Sequence, residues 1–240
     1  MKILVVMAAP KGVTAPEIEE RMAKTTMAYS RDGLEVAAGY PAEASGFVPR
    51  GGDVGPVQMA RNHILVAERM IRAEEEGYDA CVPYGMMEFG VELARGRCSI
   101  PIVGQAQAAY CMAAVMANRF GVITYSSTNH ATTWRQLRNQ GFLHRAAGLG
   151  GVGMRTEEMW GRSPLLLQRF GEEGKRLVKE GAEVIVCHGM SMSPLEYTAA
   201  ELTQAVGVPV LEGMACAIAM AQAWARTGTP YSQVRYQIGR

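Results

Sequence analysis

No stretch of the sequence reaches the roughly 18 to 20 consecutive apolar residues of a membrane-spanning helix. The first ten residues, MKILVVMAAP, hold only a short apolar run after one lysine. That run is too short for the hydrophobic region of a secretory signal and reads as a buried first strand. Nor is there an excess of charge: 24 Lys and Arg stand against 23 Asp and Glu. Without a basic stripe or a polybasic tail, neither nucleic acid nor a membrane surface is an expected partner. The five cysteines, at 81, 98, 111, 187 and 216, form no CxxC pair and no zinc-like spacing with histidine. Their odd number and the lack of metal-ligand spacing predict free thiols in a cytoplasmic protein, with no disulfide framework and no metal site. His63, His130 and His144 likewise lack metal-ligand spacing and read as surface or capping residues. The stretch GLGGVG (148–153) fits G-x-G-x-x-G but leads into a strand-like run rather than opening a helix, so it is a weak dinucleotide signal.

What is present is alternation. Short apolar runs at 2–7, 34–39, 79–83, 101–103, 120–124, 150–154, 183–187 and 208–211 predict strands. Between them, 15–30, 57–76, 87–96, 105–117, 130–140, 163–180, 195–205 and 213–226 have helical patterning. This is the order of parallel βαβ units, an α/β fold. Thr14 and Glu17, with a proline in the first turn, mark the start of the first helix, and Arg31-Asp32-Gly33 its end. The stretch GFVPRGGDVGP (46–56) reads as a loop, either a flap over a site or a plain solvent loop. Sixteen methionines suggest adaptable packing.

An internal repeat organises the chain. GYDACVPYGM (77–86) aligns without a gap to GAEVIVCHGM (181–190), an offset of 104 residues. Asp79 meets Glu183, Pro83 meets Cys187, Tyr84 meets His188, Gly85 meets Gly189 and Met86 meets Met190. The flanks repeat in order: KILVVM (2–7) with RFGVIT (119–124), and SIPIVGQAQAA (99–109) with GVPVLEGMACA (207–217). Duplication predicts two pseudo-symmetric halves, each a parallel-sheet βαβ sandwich. The expected division is 1–107, with 213–240 packing back onto it, and 108–212. The strands' carboxyl ends would face a shared cleft holding the active site.

MKILVV, ILVAERMIRAEEEGYDACV, SIPIVGQAQAA, RFGVIT, GAEVIV and GVPVLEGMACAIAMAQA, in this order over nearly the full length, carry a resemblance. The chain resembles the aspartate/glutamate/hydantoin racemase superfamily, in particular its hydantoin and allantoin racemase branch. The resemblance implies cofactor-independent chemistry on a small molecule, often in a homo-oligomer. In the family, two cysteines, one from each half, remove and return a proton on opposite faces of a substrate Cα. Here both aligned positions, Gly85 and Gly189, are glycine. The related arylmalonate decarboxylase has glycine at the first position only. The family's asparagine-containing segment after the first strand is replaced by Met7-Ala8-Ala9-Pro10, while its hydroxyl-rich segment is matched by Thr124-Tyr125-Ser126-Ser127.

The candidate catalytic residues are therefore His188, Tyr84, Glu88 and Cys187. Cys187 is either a thiol at the site in a shifted register or a buried strand residue. His188 and Tyr84 precede the paired glycines and could carry or donate protons, subject to strand parity. Glu88 stands where the family has aspartate, either as a tuned base or as a helix-start carboxylate. Gly85, Met86, Gly189, Met190, Tyr125, Ser126, Ser127 and Ser191 are candidate substrate contacts, the glycines by letting backbone N–H groups approach an anion. Three functions compete: a thiol-free lyase, decarboxylase, isomerase or hydrolase acting beside carbonyl groups, a racemase using Cys187, and a binding protein without catalysis.

Overall fold

The structure, a computed structural model, describes residues 1–42, 56–232 and 234–236. Most of the 46–56 loop, up to residue 55, falls outside the described residues. The chain divides into two compact units, Met1–Gln105 with Ala217–Arg240, and Ala106–Cys216.

The first unit runs β1 (Lys2–Val6), α1 (Pro16–Met27), β2 (Glu35–Gly39), α2 (Pro56–Glu75), β3 (Ala80–Pro83) and α3 (Val91–Arg95). Its three strands lie parallel in the order β2-β1-β3. Helix α4 (Gln105–Met116) leads into the second unit. There β4 (Phe120–Thr124), α5 (His130–Asn139), β5 (Ala146–Gly151), α6 (Thr156–Met159), α7 (Pro164–Lys179), β6 (Val184–Cys187), α8 (Ala199–Val206) and β7 (Val210–Glu212) follow, and α9 (Gly213–Thr227), which belongs to the first unit from Ala217, is the last helix among the described residues. These strands are parallel in the order β5-β4-β6-β7. The parallel α/β architecture is the one the alternation predicts.

The repeat holds at the level of backbone register. Ile3 pairs with Ala80 in one sheet and Phe120 with Val184 in the other, keeping the 104-residue offset between β3 and β6. Gly77 and Gly181 both take a left-handed φ, +82° and +97°, and end α2 and α7. The next N–H reaches back to a carbonyl of the last helical turn in each case, Tyr78 to Ala73 at 3.1 Å and Ala182 to Leu177 at 2.9 Å. The acidic pair has one job in both copies. Asp79 accepts from the Lys2 N–H at 2.6 Å, and Glu183 from the Asn118 N–H at 2.7 Å, fixing the start of the neighbouring strand.

Some boundaries differ from expectation, each for a local reason. The strand expected at 150–154 is β5, four residues earlier in its start. The run 101–103 makes only one bridge, Cys81 to Ile102. Beside that bridge the Tyr231 hydroxyl accepts the Ile102 N–H and donates to the Ile100 carbonyl, occupying the place of a further strand. Helix α3 is shorter than 87–96 because Glu88 and Gly90 take left-handed φ values of +56° and +75°. Helix α1 has no side-chain cap from Thr14; Glu19 instead accepts N–H groups from Gly12 and Thr14. Helix α8 starts only at the capping box of Thr198 and Glu201. Among the described residues no helix is long and apolar enough to cross a membrane.

Candidate active site

In the second unit the alternation of β6 sorts the opening candidates onto different faces. Cys187, like Ile185, enters the core with Phe170, Leu177, Met192, Leu202, Val206 and Val210. It is 1% exposed, and its thiol points at the Gly189 carbonyl, 3.7 Å away. Burial, reinforced by the nearby Glu212 carboxylate, raises its pKa well above the ordinary thiol value, so the proton stays on sulfur.

His188 faces the other way. Its ring stacks on Tyr110 of α4, with centroids 6.4 Å apart, and Nε2 lies 3.0 Å from Gln136 Oε1 of α5. Gln136 Oε1 also accepts from the Tyr110 hydroxyl at 3.5 Å, so it is the acceptor for both. Burial lowers the His188 pKa to about 4, against a smaller opposing contact with its own backbone. The ring is neutral at pH 7.

Gly189 is hemmed in. A Cβ there would stand 2.6 Å from Tyr125 Cε1, 2.7 Å from Cζ and 2.8 Å from the Met192 methyl. Tyr125 follows β4, and its hydroxyl oxygen accepts the Ser191 N–H at 3.2 Å. Burial raises the phenol pKa, opposed by hydrogen bonds from the Ser191 side chain and backbone. Met190 is buried. Ser126 is engaged with Thr128, accepting its N–H at 3.3 Å with the two hydroxyls 2.6 Å apart, while Ser127 is exposed.

In the first unit the Tyr84 N–H donates to the Val6 carbonyl at 2.7 Å, as His188 N–H does to Ile123 at 2.8 Å. The side chains of Tyr84 and Met86 are buried. Gly85 differs from its repeat partner: its φ is +106°, and an added Cβ would meet nothing within 4 Å. Glu88 folds its carboxyl onto Gly104, where a Cβ would fall 2.1 Å from Oε1. The ladder equates Gly104 with Glu212, because Cys81 N–H bonds Pro101 and Ile185 N–H bonds Pro209, both at 2.9 Å. Glu212 accepts the N–H groups of Met214 and Ala215 at 2.8 and 2.7 Å. Glu88 thus places its carboxyl ahead of α4 where the second unit has a carboxylate ahead of α9, a position the helix dipole favours.

The histidines set aside in the sequence are not all superficial. His63 is half-buried, accepts the Gly90 N–H on Nδ1 at 3.0 Å and packs edge-on against Phe89. His130 Nε2 lies 3.2 Å from the Gly150 carbonyl, and His144 is exposed. Sequence reasoning missed Tyr110 and Gln136, for which no local signal exists. It also missed Glu212, an acidic residue directly before a helix, which is a recognisable start signal.

Comparison with known proteins places the fold and the family. A hydantoin racemase of Pseudomonas sp. (strain NS671) is 28% identical over 173 residues, covering 71% of this chain and 68% of the relative. The fold matches allantoin racemase from Klebsiella pneumoniae with a TM-score of 0.83 at 24% identity, over 100% of this chain and 94% of the other. It matches arylmalonate decarboxylase with a TM-score of 0.61 at 14% identity, over 95% and 94%. The model of the Asp/Glu/Hydantoin racemase family matches residues 51–221. A duplicated parallel α/β chain with this match over most of its length belongs to the Asp/Glu/hydantoin racemase family.

Proposed function

We propose that the protein is a cofactor-independent enzyme acting at a carbon flanked by carbonyl groups, in a small carboxylate or cyclic ureide, without a thiol base. One observation carries this reading: the space a side chain at Gly189 would need is filled by the ring of Tyr125. Cys187 does not substitute, being held protonated in the core.

Loss of a proton or of carbon dioxide from such a carbon leaves an electron pair that spreads onto the carbonyl oxygen. Stabilising that oxyanion needs a donor fixed in advance. Tyr125 accepts from Ser191 and so keeps its own proton for another acceptor. Glu88, on its strained left-handed backbone, is the carboxylate to which proton transfer is assigned. Tyr84 is the neighbouring phenol in that unit. His188 has its Nε2 engaged with Gln136.

The names of the relatives, hydantoin racemase, allantoin racemase and arylmalonate decarboxylase, select the compounds to test. The protein is incubated in D₂O with hydantoins, allantoin, aspartate, glutamate and malonates, and Cα–H exchange and products are followed by NMR. Turnover that survives Cys187→Ser and is lost in Glu88→Gln or Tyr125→Phe supports the proposal. Exchange with inversion that is lost in Cys187→Ser overturns it in favour of a thiol racemase. Ligand-dependent stabilisation without turnover overturns it in favour of a binding protein.

A further inference from the structure

The two units close the same edge amide by different devices. In the second unit the Val210 N–H donates to Thr203 Oγ1 of α8, seven residues earlier, at 2.9 Å. The ladder equates Val210 with Ile102, since Pro209 and Pro101 accept matching bonds from Ile185 and Cys81. Seven residues before Ile102 stands the buried Arg95 of α3, whose guanidinium has no acceptor to offer an N–H. Arg95 Nε donates instead to the Ile102 carbonyl at 2.9 Å. The Ile102 N–H must then be satisfied from elsewhere, because a buried amide left unpaired is costly. The buried hydroxyl of Tyr231, beyond α9 and 129 residues away, accepts it. That hydroxyl gives its own proton to the Ile100 carbonyl at 3.2 Å.

The same segment also grips α3. Trp224 and Tyr236 pack edge-on against the Tyr231 ring, with centroids 4.7 and 5.5 Å away. Arg235 Nη2 and the Tyr236 hydroxyl donate to Glu92 Oε2 at 3.1 and 3.0 Å, and Arg95 Nη1 donates to Glu92 Oε1 at 3.2 Å. The contacts close a ring, from Tyr231 to Ile102, Arg95, Glu92 and back to Tyr236. The Arg235–Glu92 pair is exposed and worth little alone, so the buried hydroxyl with its two backbone partners is the anchor.

Glu88 lies between the two points held in this way. Its carboxyl rests on Gly104, two residues past Ile102, and its backbone lies one helical turn before Glu92. A φ of +56° is costly for a glutamate and persists only where the surroundings enforce it.

We propose that Tyr231, latched to α3 through Glu92, is a positioning residue that sets where the Glu88 carboxyl lies. The inference rests on the reading of Glu88 as the carboxylate that transfers a proton. It goes further by tying that carboxylate to the segment after α9.

NMR on the full chain with ¹³C-labelled glutamate tests it through the Glu88 carboxyl signal, assigned by its loss in Glu88→Gln. Tyr231→Phe keeps the ring packing and removes both hydroxyl bonds. It is expected to move the Glu88 signal while the glutamate carboxyls of the second unit stay in place. A purely structural cap would lower the urea midpoint and leave Glu88 unmoved, which overturns the proposal. Glu92→Ala, an exposed change, frees α3 from Arg235 and Tyr236 and is expected to move the same signal. If Tyr231→Phe does not fold, an unmoved Glu88 in Glu92→Ala overturns the proposal. On a compound turned over by the protein and not by Glu88→Gln, Tyr231→Phe should lower kcat about tenfold or more with little change in KM. A moved signal with turnover intact in Glu88→Gln retains the positioning and removes the catalytic reading of Glu88. Turnover lost in Glu88→Gln with an unmoved signal does the reverse.

Discussion

The ring of Tyr125 lies against the Cα of Gly189 so closely that a Cβ would stand 2.6 Å from Cε1. Gly85, its partner in the repeat, has open space around the same point but a backbone φ of +106°. The two positions are glycine for unrelated reasons, one steric and one conformational, so they respond differently to substitution.

Gly189→Ala is an overpacking change. It is expected to destabilise the protein by about 1–3 kcal/mol, read as a lower urea midpoint at unchanged slope. Tyr125→Ala removes the obstructing ring, so the double variant should recover at least about 1 kcal/mol relative to the sum of the single changes. Additive effects would mean that the ring is not what excludes the side chain.

Gly85→Ala is a conformational change. A left-handed backbone costs a residue with a Cβ about 1–2 kcal/mol, whatever surrounds it. The same urea measurement should show that loss. A neutral Gly85→Ala would contradict the strain.

Much of the fold was legible because duplication leaves local marks. Gly77 and Gly181 punctuate both copies, and Asp79 and Glu183 repeat the strand-start contact, so the register of β3 and β6 follows from residues close in sequence. β5 was misplaced because its glycines carry no strand signal. A Cβ at Gly150 would lie 2.7 Å from Glu173 Oε2, and one at Gly148 would lie 3.0 Å from Glu180 Oε2, the mobile ends of two α7 side chains. At the site, the sequence could name Cys187 and His188 but not their sides. Those depend on where β6 stops alternating and on Tyr110 and Gln136, which come from distant helices.

The buried position of Cys187 predicts its reactivity. A thiol held protonated in the core reacts poorly, because the thiolate is the nucleophile. Limited alkylation of the native protein followed by peptide mapping should modify Cys111, which is only half-buried, well before Cys187. Cys187 should become reactive over the same urea range in which the fold is lost. Rapid modification of Cys187 in the native state would restore it as a candidate catalytic thiol.

His188 predicts a pH dependence of stability with a definite sign. Its folded pKa is about 4, below the ordinary value of 6.5 expected in the unfolded chain. Between these values the unfolded chain binds the proton and the folded protein does not, so stability rises with pH. Above about pH 6.5 the ring is neutral in both states and contributes no slope. As pH falls from there toward 4, up to about 3 kcal/mol is lost, given roughly 1.4 kcal/mol per pKa unit. Urea midpoints measured from pH 7.5 to 4.5 should show this fall. His188→Gln, which keeps a polar group facing Gln136 but cannot titrate, should remove most of it while leaving the carboxylate-driven loss at lower pH. If the slope persists unchanged in His188→Gln, the buried neutral imidazole is not its source, and the stacking on Tyr110 with the bond to Gln136 does not exclude the charged ring.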